Sequence, residues 1–202
     1  MLLLGDSGVG KSSLARRFVD NEFSYDFTTT LGVDFMKKTV MTADGRRVNL
    51  IILDMAGQTR FRSIIAQYFR GCSGALVAFD RRDDRSFHAV KAWVKLAREY
   101  AVDLPVILVE TKGDKFGSDE RLLIEDKDVE QIATELNCTW LRTSAKSGQN
   151  VSDVFDLLVA QMVKNFDQEG EATKHLRAVE QELLLDLSIA PAGKRKTCCK
   201  IM

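Results

Sequence analysis

The sequence predicts an α/β fold: a doubly wound, mostly parallel sheet of six strands, one of which is antiparallel. Apolar runs of strand length alternate along the chain with stretches whose apolar residues recur at helical spacing, the pattern of strand–helix–strand units. The antiparallel strand is predicted from Asp44-Gly45, a hairpin signal between two β-rich runs. In such sheets ligands bind at the carboxyl ends of the strands, so the residues there are the candidate site.

The predicted elements follow one another within the first 166 residues. The strands are Met1 to Leu4, Phe35 to Met41, Arg47 to Asp54, Gly74 to Asp80, Pro105 to Val109 and Thr139 to Thr143. The helices are Ser13 to Val19, Phe87 to Tyr100 capped by Ser86, Lys127 to Leu136 capped by Asp126, and Val151 to Phe166. Asp20 to Leu31 and Arg60 to Gly71 are predicted loops, the second with a short helix.

Composition excludes several classes of protein. With 202 residues and 45% hydrophobic content, the chain is long enough for one well-packed domain and a tail. The 29 basic and 29 acidic residues cancel, so no attraction to nucleic acid is expected. No apolar run comes near the roughly 20 residues of a membrane-spanning helix, and we expect an intracellular protein.

The four cysteines form neither a disulfide framework nor a zinc pattern. Cys72 and Cys138 lie in apolar segments, where we expect small buried side chains. Beyond Phe166 the composition becomes polar and charged, so we divide the chain into a domain of residues 1–166 and a hypervariable tail of residues 167–202. Leucines at helical spacing between residues 176 and 187 form either an amphipathic helix that packs on the domain or a partner, or a transient helix.

A glycine-rich loop between the first strand and the first helix has the composition of a phosphate-binding site. The stretch Gly5-Asp6-Ser7-Gly8-Val9-Gly10-Lys11-Ser12 matches G-x-x-x-x-G-K-S in the strand-to-helix context that this motif requires. Its glycines allow backbone N–H groups to face a polyphosphate. Lys11 would reach the β- and γ-phosphates, and the Ser12 hydroxyl would bind Mg²⁺.

A second candidate segment, Asp54-Met55-Ala56-Gly57-Gln58, follows the third strand. A carboxylate at position 54 can accept a hydrogen bond from Mg²⁺-bound water. The backbone N–H of Gly57 can approach a γ-phosphate because no side chain obstructs it. Gln58 can orient an attacking water.

Two further segments predict a site for the base. Asp114, in Thr111-Lys112-Gly113-Asp114, can accept hydrogen bonds from N1–H and the exocyclic amine of guanine, a donor pair that adenine lacks. Lys112 can lay its alkyl stem along the ring. In Ser144-Ala145-Lys146, the Ala145 N–H can meet the guanine O6.

Together these segments resemble the small GTPases of the Ras superfamily, and in particular their Rab branch. The resemblance covers Met1 to about Phe166 and rests on six motifs in order: GDSGVGKSS, TTTLGVDF, LDMAGQTRFRSI, YFRG, TKGD and TSAK. It implies a P-loop NTPase fold, the small G-domain. It also implies a GTP/GDP switch of vesicle traffic that uses Mg²⁺ and hydrolyses GTP slowly unless an activating protein assists.

The resemblance assigns further residues. Thr30 would bind Mg²⁺ only when the γ-phosphate is present, and Phe23 would stack on the edge of the guanine. Residues 24–36 and 55–72 would form the two switch regions. The implied nucleotide contacts are Asp6, Ser7, Gly8, Val9, Gly10, Lys11, Ser12, Ser13, Phe23, Thr30, Gly57, Thr111, Lys112, Asp114, Ser144, Ala145 and Lys146. The implied Mg²⁺ ligands are Ser12, Thr30 and Asp54, and the implied catalytic residues are Gln58 and Lys11.

The implied partners are an exchange factor, a GTPase-activating protein, effectors at the switch regions, and the escort and dissociation-inhibitor proteins of prenylated GTPases. We expect a monomer on the cytoplasmic face of an intracellular membrane, cycling with the cytosol. Cys198 and Cys199 look like a Rab prenylation site, with a single CaaX site at Cys199 and an unmodified end as alternatives. A lipid beside the basic residues 194–196 supplies the two signals of stable anchoring.

The chain departs from the Rab pattern at several positions. Thr111 stands where asparagine is usual, which puts nucleotide affinity and exchange rate in question. Leu53 stands where Rab proteins usually have tryptophan. That tryptophan belongs to an aromatic cluster that contacts effectors, and the other members of the cluster are Phe35 and either Tyr68 or Phe69. Three further positions differ from the usual Rab residues: Met55 replaces threonine, Thr59 replaces glutamate and Glu110 replaces glycine. The first strand has only four residues, which indicates either a truncated reading frame or a short central strand.

Two alternative functions remain at this point. One is a pseudo-GTPase that holds nucleotide permanently, or none, and acts as a scaffold; Thr111 and Leu53 favour it, whereas Lys11 and Gln58 oppose it. The other is an ATP-using P-loop kinase, which Asp114 opposes because it matches guanine.

Overall fold

The computed structural model describes residues 1–25, 30, 32–57, 68–69, 71–100, 103–115, 123–168 and 170. The chain divides into two units, Met1–Met162 and Val163–Met202, and the whole sheet lies in the first. The predicted division into residues 1–166 and 167–202 stays a prediction, because most of the second segment lies outside the described residues. No helix of the described part is long and apolar enough to cross a membrane.

A six-stranded sheet forms the centre of the first unit and confirms the predicted fold class. Its strands are β1 (Leu2–Leu4), β2 (Val33–Met41), β3 (Arg47–Met55), β4 (Ala75–Phe79), β5 (Val106–Glu110) and β6 (Thr139–Arg142). Their order across the sheet is β2-β3-β1-β4-β5-β6. Only the β2–β3 pair is antiparallel, and every other neighbouring pair is parallel. The carboxyl ends of the five parallel strands therefore meet at one edge.

Burial explains why the strands differ in composition. Every residue of β1, β4 and β5 is buried, and these strands are apolar without alternation except for Glu110 at the end of β5. In the edge strand β2 every residue is exposed or half-buried, and exposed positions alternate with half-buried ones along most of its length. The β2–β3 turn is the predicted hairpin: Gly45 adopts φ 82°, and the Thr42 N–H donates to the Arg46 carbonyl at 2.9 Å.

Four α-helices are present in the described residues: α1 (Lys11–Asp20), α2 (Asp84–Tyr100), α3 (Asp126–Glu135) and α4 (residues 151–168). One face of the sheet packs against apolar residues of α2 and α3, including Phe87 and Trp93. On α1 and α4, the rings of Phe18 and Phe155 stack in parallel with centroids 3.8 Å apart. Helices thus cover the buried strands, as the sequence pattern predicts.

The prediction that Ser86 caps the second helix is wrong. Helix α2 begins at Asp84, and Ser86 lies within its first turn. The Ser86 hydroxyl instead accepts from the Asp80 N–H at 3.0 Å and donates to the Asp83 carbonyl at 2.8 Å. The side chain closes the turn that follows β4, because a serine near a helix start can bond to several backbone groups.

The prediction that Asp126 caps the third helix is also wrong. The cap is Glu125, which forms a reciprocal capping box with Asp128, and Asp126 is the first helical residue. Aspartate is a preferred N-cap residue and glutamate is not, so the pattern favours Asp126; the capping box with Asp128 nevertheless forms one position earlier. The remaining predicted bounds either coincide with the observed ones or differ from them by at most three residues, which is close to the usual uncertainty at element ends.

The two internal cysteines are half-buried rather than fully buried, and both pack against the core. The Cys72 thiol lies 2.8 Å from the Tyr68 carbonyl, and burial raises its pKa. Burial also raises the pKa of the Cys138 thiol, against the opposing effect of Arg98. Both thiols therefore stay protonated at neutral pH, in keeping with a packing role.

Candidate functional site

A cavity of about 530 Å³ lies at the edge where the parallel strands end. Five loops contribute to its wall: the glycine-rich loop with the start of α1, the segment after α1, the end of β3, the segment after β5 and the segment after β6. Its lining residues are Ser7, Gly8, Gly10, Lys11, Ser12, Ser13, Leu14, Arg16, Glu22, Phe23, Ser24, Tyr25, Thr30, Gly57, Thr111, Lys112, Asp114, Thr143, Ala145 and Lys146.

The glycine-rich loop requires glycine at defined positions. Gly5 has φ 131°, and a Cβ there would lie 2.2 Å from the Ala78 carbonyl oxygen. Gly10 has φ 107° and precedes α1 without any side-chain cap for the helix. The N–H groups of the first helical turn are therefore available to an anion, and the helix dipole favours negative charge there.

Lys11 is nearly buried at the floor of the cavity, where its Nζ donates to the Asp6 carbonyl at 2.8 Å. Burial lowers the Lys11 pKa to about 8, although the Asp54 and Asp6 carboxylates oppose this shift. The Asp6 carboxylate accepts a hydrogen bond from Trp93 Nε1 at 2.9 Å. Trp93 thus supports the glycine-rich loop, a role that the sequence did not reveal because the residue belongs to the apolar stripe of α2.

The three predicted Mg²⁺ ligands lie together. The Ser12 and Thr30 hydroxyl oxygens are 2.9 Å apart, and the Ser12 hydroxyl also donates to Asp54 Oδ2. The other carboxylate oxygen, Asp54 Oδ1, is buried and has no hydrogen-bond partner within the described residues. Burial raises the Asp54 pKa, while the Ser12 hydroxyl and Lys11 oppose the shift. Hard oxygen donors and an unsatisfied buried carboxylate oxygen fit a divalent cation with bound water.

Gly57 lies directly against the glycine-rich loop. A Cβ at this position would come within 2.3 Å of the Ser7 nitrogen and 2.4 Å of the Asp6 carbonyl carbon. Only glycine therefore allows the end of β3 to approach the loop this closely. The predicted catalytic residue Gln58 lies outside the described residues.

At the other end of the cavity, Thr111 and Lys112 join the base segment to the glycine-rich loop. The buried Thr111 hydroxyl lies 2.6 Å from the Val9 carbonyl and 2.9 Å from the Phe79 carbonyl. Lys112 Nζ donates to the Gly8 carbonyl at 2.8 Å and pairs with Asp80 at 2.9 Å. Both side chains bring the two loops together across the cavity wall.

Residues of the segment that follows β6 hold the Asp114 carboxylate in place. The Ser144 hydroxyl donates to Asp114 Oδ1 at 2.7 Å, and Lys146 Nζ lies 4.0 Å from Asp114 Oδ2. Arg17 of α1 donates to the Ala145 carbonyl at 2.6 Å and the Lys146 carbonyl at 3.0 Å. Arg17 was not among the predicted site residues, because its contacts lie far away in sequence.

Two aromatic rings flank the mouth of the cavity. Phe23 meets Tyr25 edge to face with ring centroids 5.1 Å apart. Lys146 Nζ lies 5.6 Å from the centroid of the Tyr25 ring. Tyr25 is a lining residue that the sequence did not single out, although its position two residues after Phe23 places it on the same segment.

The structure therefore brings most of the predicted site residues to one cavity. Asp6, Val9, Asp54 and Ser144 do not line it but form hydrogen bonds with lining residues. Cys198 and Cys199 lie outside the described residues. On the surface of the sheet, Phe35 pairs with Tyr68 at 5.9 Å, whereas Phe69 is buried against Tyr100.

Comparisons with known proteins agree with this arrangement. The family model described as "Ras family" matches residues 1–164. The Ras-related protein RabC of Dictyostelium discoideum is 38% identical over 202 residues, which cover 98% of this chain and 96% of the relative. The Ras-related protein SEC4 of Saccharomyces cerevisiae is 40% identical over 167 residues, 83% of this chain and 76% of the relative. The Ras-related protein RABE1e of Arabidopsis thaliana is 36% identical over 202 residues, 98% of this chain and 91% of the relative.

Members of this family bind guanine nucleotides and hydrolyse GTP, and no finding favours a scaffold that lacks hydrolysis. The match extends over the whole glycine-rich loop, the end of β3 and both base segments, which are the parts of the chain that form the cavity. The chain belongs to the Ras family, as a Rab-like small GTPase that acts as a GTP-hydrolysing switch in vesicle traffic.

Proposed function

We propose that the cavity binds GTP and GDP with the phosphates on the glycine-rich loop and the base against Asp114. The observation that carries this proposal is that the two ends of the cavity hold groups of opposite charge. Its floor holds the Lys11 ammonium and the uncapped start of α1, which attract phosphates, and its far end holds the Asp114 carboxylate, which accepts from a base.

Base selection follows from the chemistry of Asp114. Its two oxygens match the N1–H and exocyclic amine of guanine, and the Ala145 N–H supplies a donor for O6. Adenine offers no such donor pair. The identity of the nucleotide that co-purifies with the protein tests this directly: we expect GDP or GTP. An equal competition by ATP for the site would contradict the assignment.

The donors Ser12, Thr30 and Asp54 would hold Mg²⁺ when nucleotide is bound, because they place two hydroxyls and an unsatisfied carboxylate oxygen side by side. The ion, when bound, neutralises phosphate charge and so favours phosphoryl transfer. Thr30 belongs to the first proposed switch region, so its hydroxyl would link that region to the γ-phosphate.

For hydrolysis, Gln58 would orient a water for in-line attack on the γ-phosphorus. The bond between the γ-phosphorus and the β–γ bridging oxygen breaks, and GDP and inorganic phosphate leave. Lys11 stabilises the charge that develops on the transferring group and on the bridging oxygen. No arginine of the switch regions is assigned to this charge, so we expect intrinsic turnover on the order of 10⁻⁴ s⁻¹ and acceleration by an activating protein in trans.

Single-turnover hydrolysis of GTP tests the role of Gln58. We expect the Gln58→Leu variant to bind GTP with unchanged affinity and to hydrolyse it about tenfold or more slowly, since leucine cannot orient water. Equal hydrolysis rates in the two proteins would remove Gln58 from the mechanism.

We also propose that the tail attaches the protein to the cytoplasmic face of an intracellular membrane through prenyl groups on Cys198 and Cys199. Two lipids, or one lipid with the neighbouring basic residues, give stable but reversible anchoring. Mass spectrometry of the C-terminal peptide from cells distinguishes modification of both cysteines from a single modified Cys199. An unmodified peptide would contradict the proposal.

The proposed protein partners follow from the two switch regions, residues 24–36 and 55–72. An exchange factor, an activating protein and effectors would contact them, and escort and dissociation-inhibitor proteins would handle the lipidated tail. The pair of Phe35 and Tyr68 remains on this surface, but Leu53 replaces the larger aromatic residue beside it. We therefore expect a set of effectors that differs from that of Rab proteins with tryptophan at this position.

A further inference from the structure

Behind the base end of the cavity lies a cluster of four charged side chains that the proposed chemistry does not use. Arg81 follows β4, Glu110 ends β5, Arg142 ends β6, and Asp126 begins α3. We call these four residues the Glu110 cluster. It connects the ends of three neighbouring elements of the sheet with the start of a helix.

The contacts within the Glu110 cluster are short. Glu110 Oε1 accepts from Arg142 Nε at 2.9 Å, and Glu110 Oε2 lies 3.0 Å from Arg81 Nε. The second contact is an ion pair without hydrogen-bond alignment, so its attraction is Coulombic. Both guanidiniums also reach Asp126 Oδ1, Arg81 at 2.5 Å and Arg142 at 2.7 Å. Two positive and two negative charges thus form a closed, neutral ring of contacts.

Burial increases the energetic cost of disrupting this ring. The Arg81 and Glu110 side chains are each only 3% exposed. Removing the charge of either residue leaves the other buried with less compensation, which is more costly than breaking an exposed ion pair. Trp140 contributes a further restraint, because its ring centroid lies 5.9 Å from the Arg81 guanidinium carbon and 6.0 Å from that of Arg142.

Three hydrogen bonds connect Glu110, Thr143 and Gly113, and so join the cluster to the base segments. The Glu110 carbonyl accepts from the Thr143 N–H at 2.7 Å and from the Thr143 hydroxyl at 3.0 Å. The Gly113 N–H donates to the Thr143 carbonyl at 2.8 Å. Arg142 itself packs on Gly113 so closely that a Cβ there would lie 2.7 Å from Arg142 Cγ. Asp114 is the next residue, so the position of Arg142 sets the backbone from which Asp114 extends.

We propose that Glu110 and Arg142 are positioning residues that fix the Asp114 carboxylate for two hydrogen bonds to guanine. The inference rests on the proposed role of Asp114. In this proposal the Glu110 carboxylate holds Arg142 against Gly113. Arg142 in turn fixes the relative positions of the two segments that carry Asp114 and Ser144.

The test compares affinities for GDP and inosine diphosphate (IDP), which lacks the exocyclic amine and can make only one of the two hydrogen bonds to Asp114. The wild type should prefer GDP by about tenfold or more, the value of one charge-assisted hydrogen bond. In Glu110→Gln the preference should fall by about threefold or more, because a displaced carboxylate loses the second bond first. A role in stability alone would lower both affinities by one factor and leave their ratio unchanged.

A second variant guards against misfolding of Glu110→Gln. Arg142→Lys keeps the charge at a site that is 20% exposed but removes the planar fork that contacts both Glu110 and Asp126. It should reduce the GDP preference in the same direction. The matched control is Glu135→Gln, which breaks the exposed Lys91–Glu135 pair of 2.7 Å and should leave the ratio unchanged.

The outcomes separate the inference from the proposed function. Folded variants with the wild-type ratio of GDP to IDP affinity would overturn the positioning role of the Glu110 cluster while leaving the guanine site intact. A wild type that does not distinguish GDP from IDP would instead contradict the role of Asp114, and the inference would fall with it.

Discussion

The two ends of the cavity are built on different physical principles. At the phosphate end, charged groups are buried with few partners: Lys11 donates only to a backbone carbonyl among the contacts described, and Asp54 Oδ1 has no partner in the described residues. At the base end, the groups are paired with one another. Asp114 accepts from Ser144, and the Thr111 hydroxyl contacts two carbonyls.

This difference indicates a division of labour. Burial disfavours the charged forms of Lys11 and Asp54, as the directions of their pKa shifts indicate. On the proposed assignment, a polyphosphate with its cation would supply the missing opposite charges, so we expect the binding energy to arise mainly from completing these interactions. The base end is already arranged before binding, so it contributes selectivity at a smaller cost in ordering.

Removing the Lys11 ammonium should have the largest effect on affinity. We expect Lys11→Ala to weaken GDP binding on the order of 1,000-fold, since two charge-assisted hydrogen bonds contribute about 1.5–3 kcal/mol each. Equilibrium titration with a fluorescent GDP analogue measures the loss. Lys91→Ala, which removes an exposed lysine on α2, is the control and should bind normally. If Lys11→Ala lost less than tenfold in affinity for GDP, the phosphate end would not be the main source of binding energy.

Removing the Asp114 carboxylate should have the next largest effect. Its side chain is 16% exposed, so we expect Asp114→Ala to weaken GDP binding about 100-fold, the lower end of the range for two bonds to a charged group. The same titration with IDP should show a smaller loss, because IDP makes one of the two bonds. If both nucleotides lost affinity equally, Asp114 would support the loop without reading the base.

The sequence predicted the phosphate end more completely than the base end, for a physical reason. The glycine-rich loop is contiguous, and its glycines are required by backbone conformation, so a local pattern contains the information. The supports of the base end pair residues from separate elements: Glu110 of β5 and Arg142 of β6 are 32 positions apart, and Arg17 of α1 lies 128 positions from Ala145. Periodicity and motifs do not encode such pairings.

The same limit explains the errors. Trp93 fits the apolar stripe of α2, and the pattern gives no sign that its indole N–H reaches Asp6. Composition favours Asp126 over Glu125 as the cap, and only the reciprocal hydrogen bonds with Asp128 identify Glu125. The identity of the described strands and α-helices was therefore predictable, whereas the first residues of α2 and α3 and the distant partners of the site residues were not.

Thr111 joins the two ends, so its loss should affect both. We expect Thr111→Val to lower the free energy of unfolding by about 1–3 kcal/mol, because the Val9 carbonyl loses the hydroxyl donor, whereas the Phe79 carbonyl keeps the Thr111 N–H at 2.9 Å. Dissociation of GDP should accelerate about tenfold as the glycine-rich loop loosens. Thermal melting and stopped-flow dissociation measure the two effects.

Thr111→Ser is the matched control for this variant, because it keeps the hydroxyl and removes only a methyl group. It should retain most of the stability and a GDP dissociation rate near that of the wild type. If Thr111→Val and Thr111→Ser were equally stable and released GDP equally fast, the hydroxyl would not be the link between the two loops.

The smallest expected effect is a pH dependence at the phosphate end. The Lys11 pKa of about 8 should rise when phosphate binds beside it, so the bound form holds a proton that the free form loses above pH 8. Below about pH 7 Lys11 is charged in both forms and the affinity is nearly constant. Between pH 7 and pH 8.5 the affinity for GDP should fall about fourfold, as linkage requires for a pKa near 8. Lys11→Arg, whose guanidinium stays charged, should show no change over this interval; a parallel fall in both proteins would place the titrating group elsewhere than Lys11.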